Sequence, residues 1–111
     1  MTEREYARLT EALFHHLGKS LDAYADEVEY EMPGDGIIEI EFEDRSKIVV
    51  NRQAAVQEIW VAARSGGFHY RWQEGAWRDT RGGEELLVAL SRLATAQAGV
   101  GINLNSMEGP A

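Results

Sequence analysis

No cysteine occurs anywhere in the 111 residues. That removes disulfide bridges, thiolate metal sites and cysteine nucleophiles together, and it fits a reducing compartment. Any metal must then be held by oxygen or by histidine nitrogen. Apolar runs extend for only a few residues, which is too short for a transmembrane helix, and the N-terminal MTEREYARL lacks the basic-then-apolar succession of a targeting segment. A cytoplasmic protein with no membrane association is expected. Enzyme signatures are missing as well: GxSxG, HExxH, the P-loop and GxGxxG do not appear. The pairs Gly66-Gly67 and Gly82-Gly83 lack the spacing that cradles a phosphate and read as turns. No catalytic centre is expected.

The most informative scarcity is of positive charge. Between Lys19 and Arg45 there is no lysine or arginine, yet this span carries ten of the nineteen acidic residues, nine of them in DEVEYEMPGDGIIEIEFED, residues 26 to 44. The formal charge of the chain is −8, and outside this span eleven bases outweigh nine acids. The acidity is therefore local. It argues against a nucleic-acid partner, which needs clustered bases, and favours cations or a basic protein patch.

The length allows one domain with one core, taken as residues 1–111 with a loose tail from about 106. Tyr6, Leu9, Leu13, Leu17, Leu21 and Tyr24 recur at helical spacing and predict a first helix over 3–24, opened by a Thr2–Glu5 capping box. Arg8, Glu11, His15, Lys19, Asp22 and Asp26 project opposite that stripe, and Gly18 reads as a weak point within it. A period of two follows. Val28, Tyr30 and Met32 face inward against Glu27, Glu29 and Glu31; after the turn MPGDG, Ile38, Ile40 and Phe42 face inward against Glu39, Glu41 and Glu43. IVVN, EIWVAAR, FHYRW after the Gly66-Gly67 break, and AWRD complete six strands. A second helix is expected over 84–98 with Glu84 and Glu85 in its first turn, and Val100, Ile102 and Leu104 lie extended over the core. The expected architecture is an α+β two-layer sandwich, two helices on one face of a six-stranded antiparallel sheet, with the other face open to water.

On that open face the two glutamate rows stand side by side, each close pair costing on the order of 1 kcal/mol or less near water. A polyvalent cation or a basic partner relieves such repulsion; hard oxygen ligands suit iron, manganese, calcium or magnesium, and exposed carboxylates without a cage imply weak, permissive, multi-site binding. Glu39 and Glu41 remain indistinguishable from solubilising charges. His15 and His16 read as exposed helix residues, about 100° apart and poorly placed to chelate one ion together. His69 falls on the open face. So does Trp60, a large exposed aromatic of the kind that anchors interfaces, whereas Trp72 and Trp77 follow the inward phase and read as core.

The run SKIVVNRQAAVQEIWVAARSGGFHYRW, residues 46 to 72, continued by WRDTRGGE and LATAQAG, resembles the sheet signature of the frataxins, most closely the bacterial form. The likeness extends over essentially the whole chain. It implies the helix–sheet–helix sandwich above and weak binding of ferrous or ferric iron. It also implies docking on a cysteine desulfurase and its scaffold, to regulate or supply iron-sulfur cluster assembly. Carried onto this chain, the metal ridge falls on Glu11, Asp22, Asp26, Glu27, Glu29, Glu31 and Glu43, and the partner surface on Asn51, Gln53 and Trp60. A non-catalytic monomer is expected. Three alternatives remain open: ferroxidase activity, iron-driven oligomerisation, and haem handling or service to ferrochelatase, with His15, His16 and His69 as the available axial or auxiliary metal ligands. The chain departs from the bacterial pattern at Gly18, Lys19, Ala23 and Ala25, where acids are usual, and Lys19 repels a cation; this shifts the expected iron site toward the first strand.

Overall fold

A computed structural model describes residues 1–105. Helix α1 (Glu3–Asp22) leads into strands β1 (Val28–Gly34), β2 (Ile37–Phe42), β3 (Lys47–Gln53), β4 (Glu58–Ala63), β5 (Gly66–Gln73) and β6 (Ala76–Asp79), then helix α2 (Leu86–Ala98). A short 3-10 turn, Ala54–Val56, joins β3 to β4. The strands pair antiparallel in chain order. Ile38, Ile40, Ile48, Val50, Ile59, Val61 and Tyr70 from one sheet face join Leu13, Leu17 and Leu21 of α1 and Leu86, Leu90 and Leu93 of α2 in a single core. Both helices thus cover one face, as the alternation predicts. Among the described residues no helix is long and apolar enough to cross a membrane.

The helix boundaries are set by capping and differ from the periodic limits. Thr2 and Glu5 form the reciprocal capping box, with bonds of 3.0 and 3.1 Å. At the other end α1 stops at Asp22, because the chain turns so that Glu27 and Val28 N–H both donate to Tyr24 O. Asp26 consequently lies in this turn and not on the helix face. Helix α2 starts two residues later than its predicted limit. Glu85 is its N-cap, with its carboxylate accepting from Leu87 and Val88 N–H, and Glu84 reaches instead to Arg92 at 2.8 Å.

Several expectations from the pattern are overturned. The Gly66-Gly67 pair is no break but opens β5 opposite Ala63 and Ala62. Met32 is 49% exposed, because β1 is an edge strand whose register shifts between Glu31 and Gly34 and the α1 residue against its methyl is Gly18, which has no side chain. Gly18 is accordingly buried; a Cβ there would stand 3.2 Å from the Met32 methyl and 3.7 Å from the Tyr30 hydroxyl. Trp72 is half-buried at the sheet margin, edge-on to the buried Trp77 at 5.4 Å. Of the tail, Ile102 and Leu104 are buried and Val100 is exposed; the expected loose tail falls outside the described residues.

His16 is also buried, at 4% exposure. Its Nε2 donates to Leu104 O at 2.8 Å, a carbonyl being able only to accept. The Ser91 hydroxyl accepts from Leu104 N–H at 2.8 Å, and Thr95 Oγ1 accepts from Ile102 N–H at 2.9 Å, so the extended tail is pinned between the helices. His16→Ala should destabilise the fold by about 1–3 kcal/mol through a lost buried hydrogen bond. His15→Ala, at an exposed site, should stay within about 0.5 kcal/mol. Urea unfolding of both variants is the check; equal effects would contradict the assignment.

Candidate functional site

The acidic residues separate into groups once the register is known. Glu29 lies directly opposite Glu41, and Glu31 opposite Glu39. The span is short of bases in sequence but not in space: Lys47 Nζ reaches Glu39 at 3.5 Å, and Arg45 Nη1 reaches Glu41 at 3.4 Å. Asp44 is paired with Arg64 at 2.8 Å and accepts from Ser46 N–H and Oγ, bonds that lower its pKa. Among the described residues, Asp22, Asp26, Glu27, Glu29, Glu31 and Glu43 have no such ion pair. Most of the uncompensated charge of the span therefore follows the end of α1 and the outer edge of β1, with Glu43 just after β2 and Asp35 in the β1–β2 turn also lacking a basic partner among the described residues.

Two shallow grooves organise these groups. One, of about 460 Å³, is lined by Asp26, Glu27, Glu29, Glu41 and Glu43, with Arg45 at its margin. The other, of about 370 Å³, is lined by Asp22, Glu29, Tyr30 and Glu31 over Leu21 and Val28. Glu29 belongs to both. Tyr30 was not anticipated here: its hydroxyl donates to Asp22 Oδ1 at 2.7 Å and lies 3.2 Å from Gly18 O. The bond to Asp22 is the main cause of its raised pKa, so it stays a donor and holds that carboxylate against the strand. Glu11 stands apart, in a groove with Met32, Asp35 and Arg52. Lys19 is exposed on α1. Among the described residues no three acidic or histidine side chains converge as a preformed metal cage. Such an arrangement offers a hydrated cation one or two carboxylates at a time.

The central open face is built differently. The register aligns Asn51, Trp60 and His69 in one row across β3, β4 and β5, and Gln53, Glu58, Arg71 and Arg78 in the next. Trp60 is 36% exposed. Its ring stacks on His69 with centroids 4.4 Å apart and planes inclined by 9°, and its Nε1 donates to Glu58 Oε1 at 2.8 Å. Glu58 is buried at 6% exposure although it belongs to the outward phase; the Trp60 side chain and the Arg71 guanidinium close over it. The Trp60 bond, followed by the Arg71 bond and the charges of Arg71 and His69, lowers its pKa against the opposing effect of burial. Glu58 and Arg71 escaped the sequence reading, although Glu58 and Trp60 are two apart on one strand and so neighbours on one face.

The histidines do not assemble. His16 is committed to Leu104 and is withdrawn as a metal or haem ligand. His15 is exposed on α1, whereas His69 sits on the far face of the sheet, stacked on Trp60 with Nδ1 3.6 Å from Glu58.

A family model described as a frataxin-like domain matches residues 1–100. The iron-sulfur cluster assembly protein CyaY of Dechloromonas aromatica is 47% identical over 104 residues, 94% of this chain and 99% of that protein. CyaY of Paraburkholderia phymatum is 46% identical over 99 residues, covering 89% and 93%. Among solved structures, frataxin from Psychromonas ingrahamii superposes with a TM-score of 0.87 at 26% identity, over 96% of this chain and all of that one. Trimeric frataxin from Saccharomyces cerevisiae, complexed with ferrous iron, superposes with a TM-score of 0.71 at 23% identity, covering 81% and 85%. At that identity the likeness is one of fold. The resemblance read from residues 46 to 72 is borne out.

The buried carboxylate gives the site a signature in acid. With its folded pKa lowered, Glu58 contributes stability that is present above the ordinary glutamate value of 4.5 and lost as pH falls through the folded value. Wild type should exceed Glu58→Gln in stability near neutrality, and the gap should close as pH drops below 4.5. Denaturant unfolding across pH checks this; a gap independent of pH would contradict it.

Proposed function

This chain belongs to the frataxin family, and from that premise we propose that it is a non-catalytic iron-binding protein of iron-sulfur cluster assembly. It regulates or supplies the assembly reaction by docking on the cysteine desulfurase and its scaffold. The observation that carries this reading is the line of carboxylates without an ion pair at Asp22, Asp26, Glu27, Glu29 and Glu31, joined by Glu43, beside a sheet face on which Glu39, Glu41 and Glu58 have basic partners. Iron is the cargo. Its hard-oxygen preference matches this donor set, and the open arrangement supports loose, exchangeable binding in preference to a redox centre.

The same carboxylates also suit a basic patch on the desulfurase. Trp60, with Asn51 and Gln53 nearby, supplies the uncharged part of the contact. If one edge serves both iron and partner, each alters the affinity of the other by the same factor.

Replacing Glu27, Glu29 and Glu31 together by lysine should weaken ferrous iron binding and desulfurase binding alike, each by about tenfold or more, since charge at a docking edge is reversed. Anaerobic iron titration followed by amide line broadening, and calorimetry with the desulfurase, are the two readouts; unchanged values in both would reject the assignment. Trp60→Ala should reduce desulfurase affinity by about thirtyfold if the ring is an anchor. It should cost the fold no more than about 3 kcal/mol, the scale of the lost bond to the Glu58 carboxylate, and a larger fall in melting stability would give Trp60 a structural role instead.

A further inference from the structure

We propose that Glu58 is the positioning residue of the docking face, its buried carboxylate fixing the Trp60 ring in the pose that the partner meets. The inference rests on the reading that Trp60 is a desulfurase contact. Two restraints act on the ring at right angles. The indole edge is held by the 2.8 Å bond from Nε1 to Glu58 Oε1, and one ring face is held by the His69 stack at 4.4 Å. Edge and face together leave neither side-chain torsion free.

Glu58 is itself immobile. Arg71 meets its second oxygen, His69 Nδ1 stands 3.6 Å from the first, and its backbone carbonyl accepts from the buried Tyr6 hydroxyl at 2.8 Å. A continuous line of hydrogen bonds therefore runs from α1 through Glu58 to the exposed indole. An ordered ring loses less rotational freedom on docking than a free one, which is how preorganisation gains affinity.

The test uses the full chain, labelled to show the Trp60 indole N–H resonance and its mobility, with desulfurase affinity measured in parallel. Glu58→Ala should shift and mobilise the indole signal and weaken binding about threefold to tenfold, the scale of one interface hydrogen bond or one ordered side chain. Glu58→Gln, whose amide oxygen still accepts from Nε1, should restore both readouts, which a merely structural role for the charge would not. In a Trp60→Ala background, Glu58→Ala should cost nothing further. An unmoved indole signal, or an equal loss of binding with and without Trp60, would overturn the proposal. Unchanged affinity in Trp60→Ala alone would overturn the docking role of the ring, and is told apart by an indole signal that still moves in Glu58→Ala.

Discussion

Strand alternation against a one-sided cover is the constraint on which the rest of this molecule depends. With α1 and α2 on one face only, Ile38, Ile40, Ile48, Val50, Ile59 and Val61 are forced inward, and the residues that alternate with them along each strand are turned to the uncovered face. A slip of one residue would drive Glu39 and Glu41 into the core, so the hydrophobic pattern holds the register and the register spaces the charges. Carboxylates along a strand then repeat at about 6.7 Å and face those of the next strand at about 4.8 Å. Stability and surface chemistry are thus two consequences of one pattern.

Charge on the open face follows from which strands are edges. Interior strand β2 has a neighbour on each side, and β3 brings Lys47 to Glu39 while the turn after β2 brings Arg45 to Glu41. Edge strand β1 has a neighbour on one side only, so Glu29 and Glu31 meet the carboxylates of β2 and no cation beyond. Across the sheet the sign changes, and β5 and β6 place Arg71 opposite Arg78. Each exposed ion pair contributes at most about 1 kcal/mol, so these pairs matter less for folding than for where unbalanced charge remains.

The fold was legible because its signals are periodic and local: a repeat of two for the strands, of three and four for the helices, and a capping box at Thr2. Misreadings arose where a single long-range contact decides the outcome. His16 looks like its neighbour His15 until Leu104, 88 residues away, supplies a carbonyl. Met32 keeps the inward phase, yet Gly18 has no side chain to cover it. The acidic span reads as uncompensated because Lys47 and Arg45 lie outside it in sequence. The Tyr30–Asp22 bond joins a helix end to a strand across a turn, where neither period applies.

The two parts of the outer surface also differ in how firmly they are held. Glu58 binds Trp60 and Arg71 and is shielded from water, so its geometry is defined before any partner arrives. Along β1 the carboxylates have no base, and only Asp22 is restrained, through Tyr30. Rigid groups suit shape recognition, where disorder would have to be removed on docking. Carboxylates without a fixed partner suit a hard cation that retains part of its water shell. The edge position of β1 and the interior position of β4 thus put an open row of carboxylates and a fixed aromatic group on a single sheet, the pair of surfaces that the proposed function calls for.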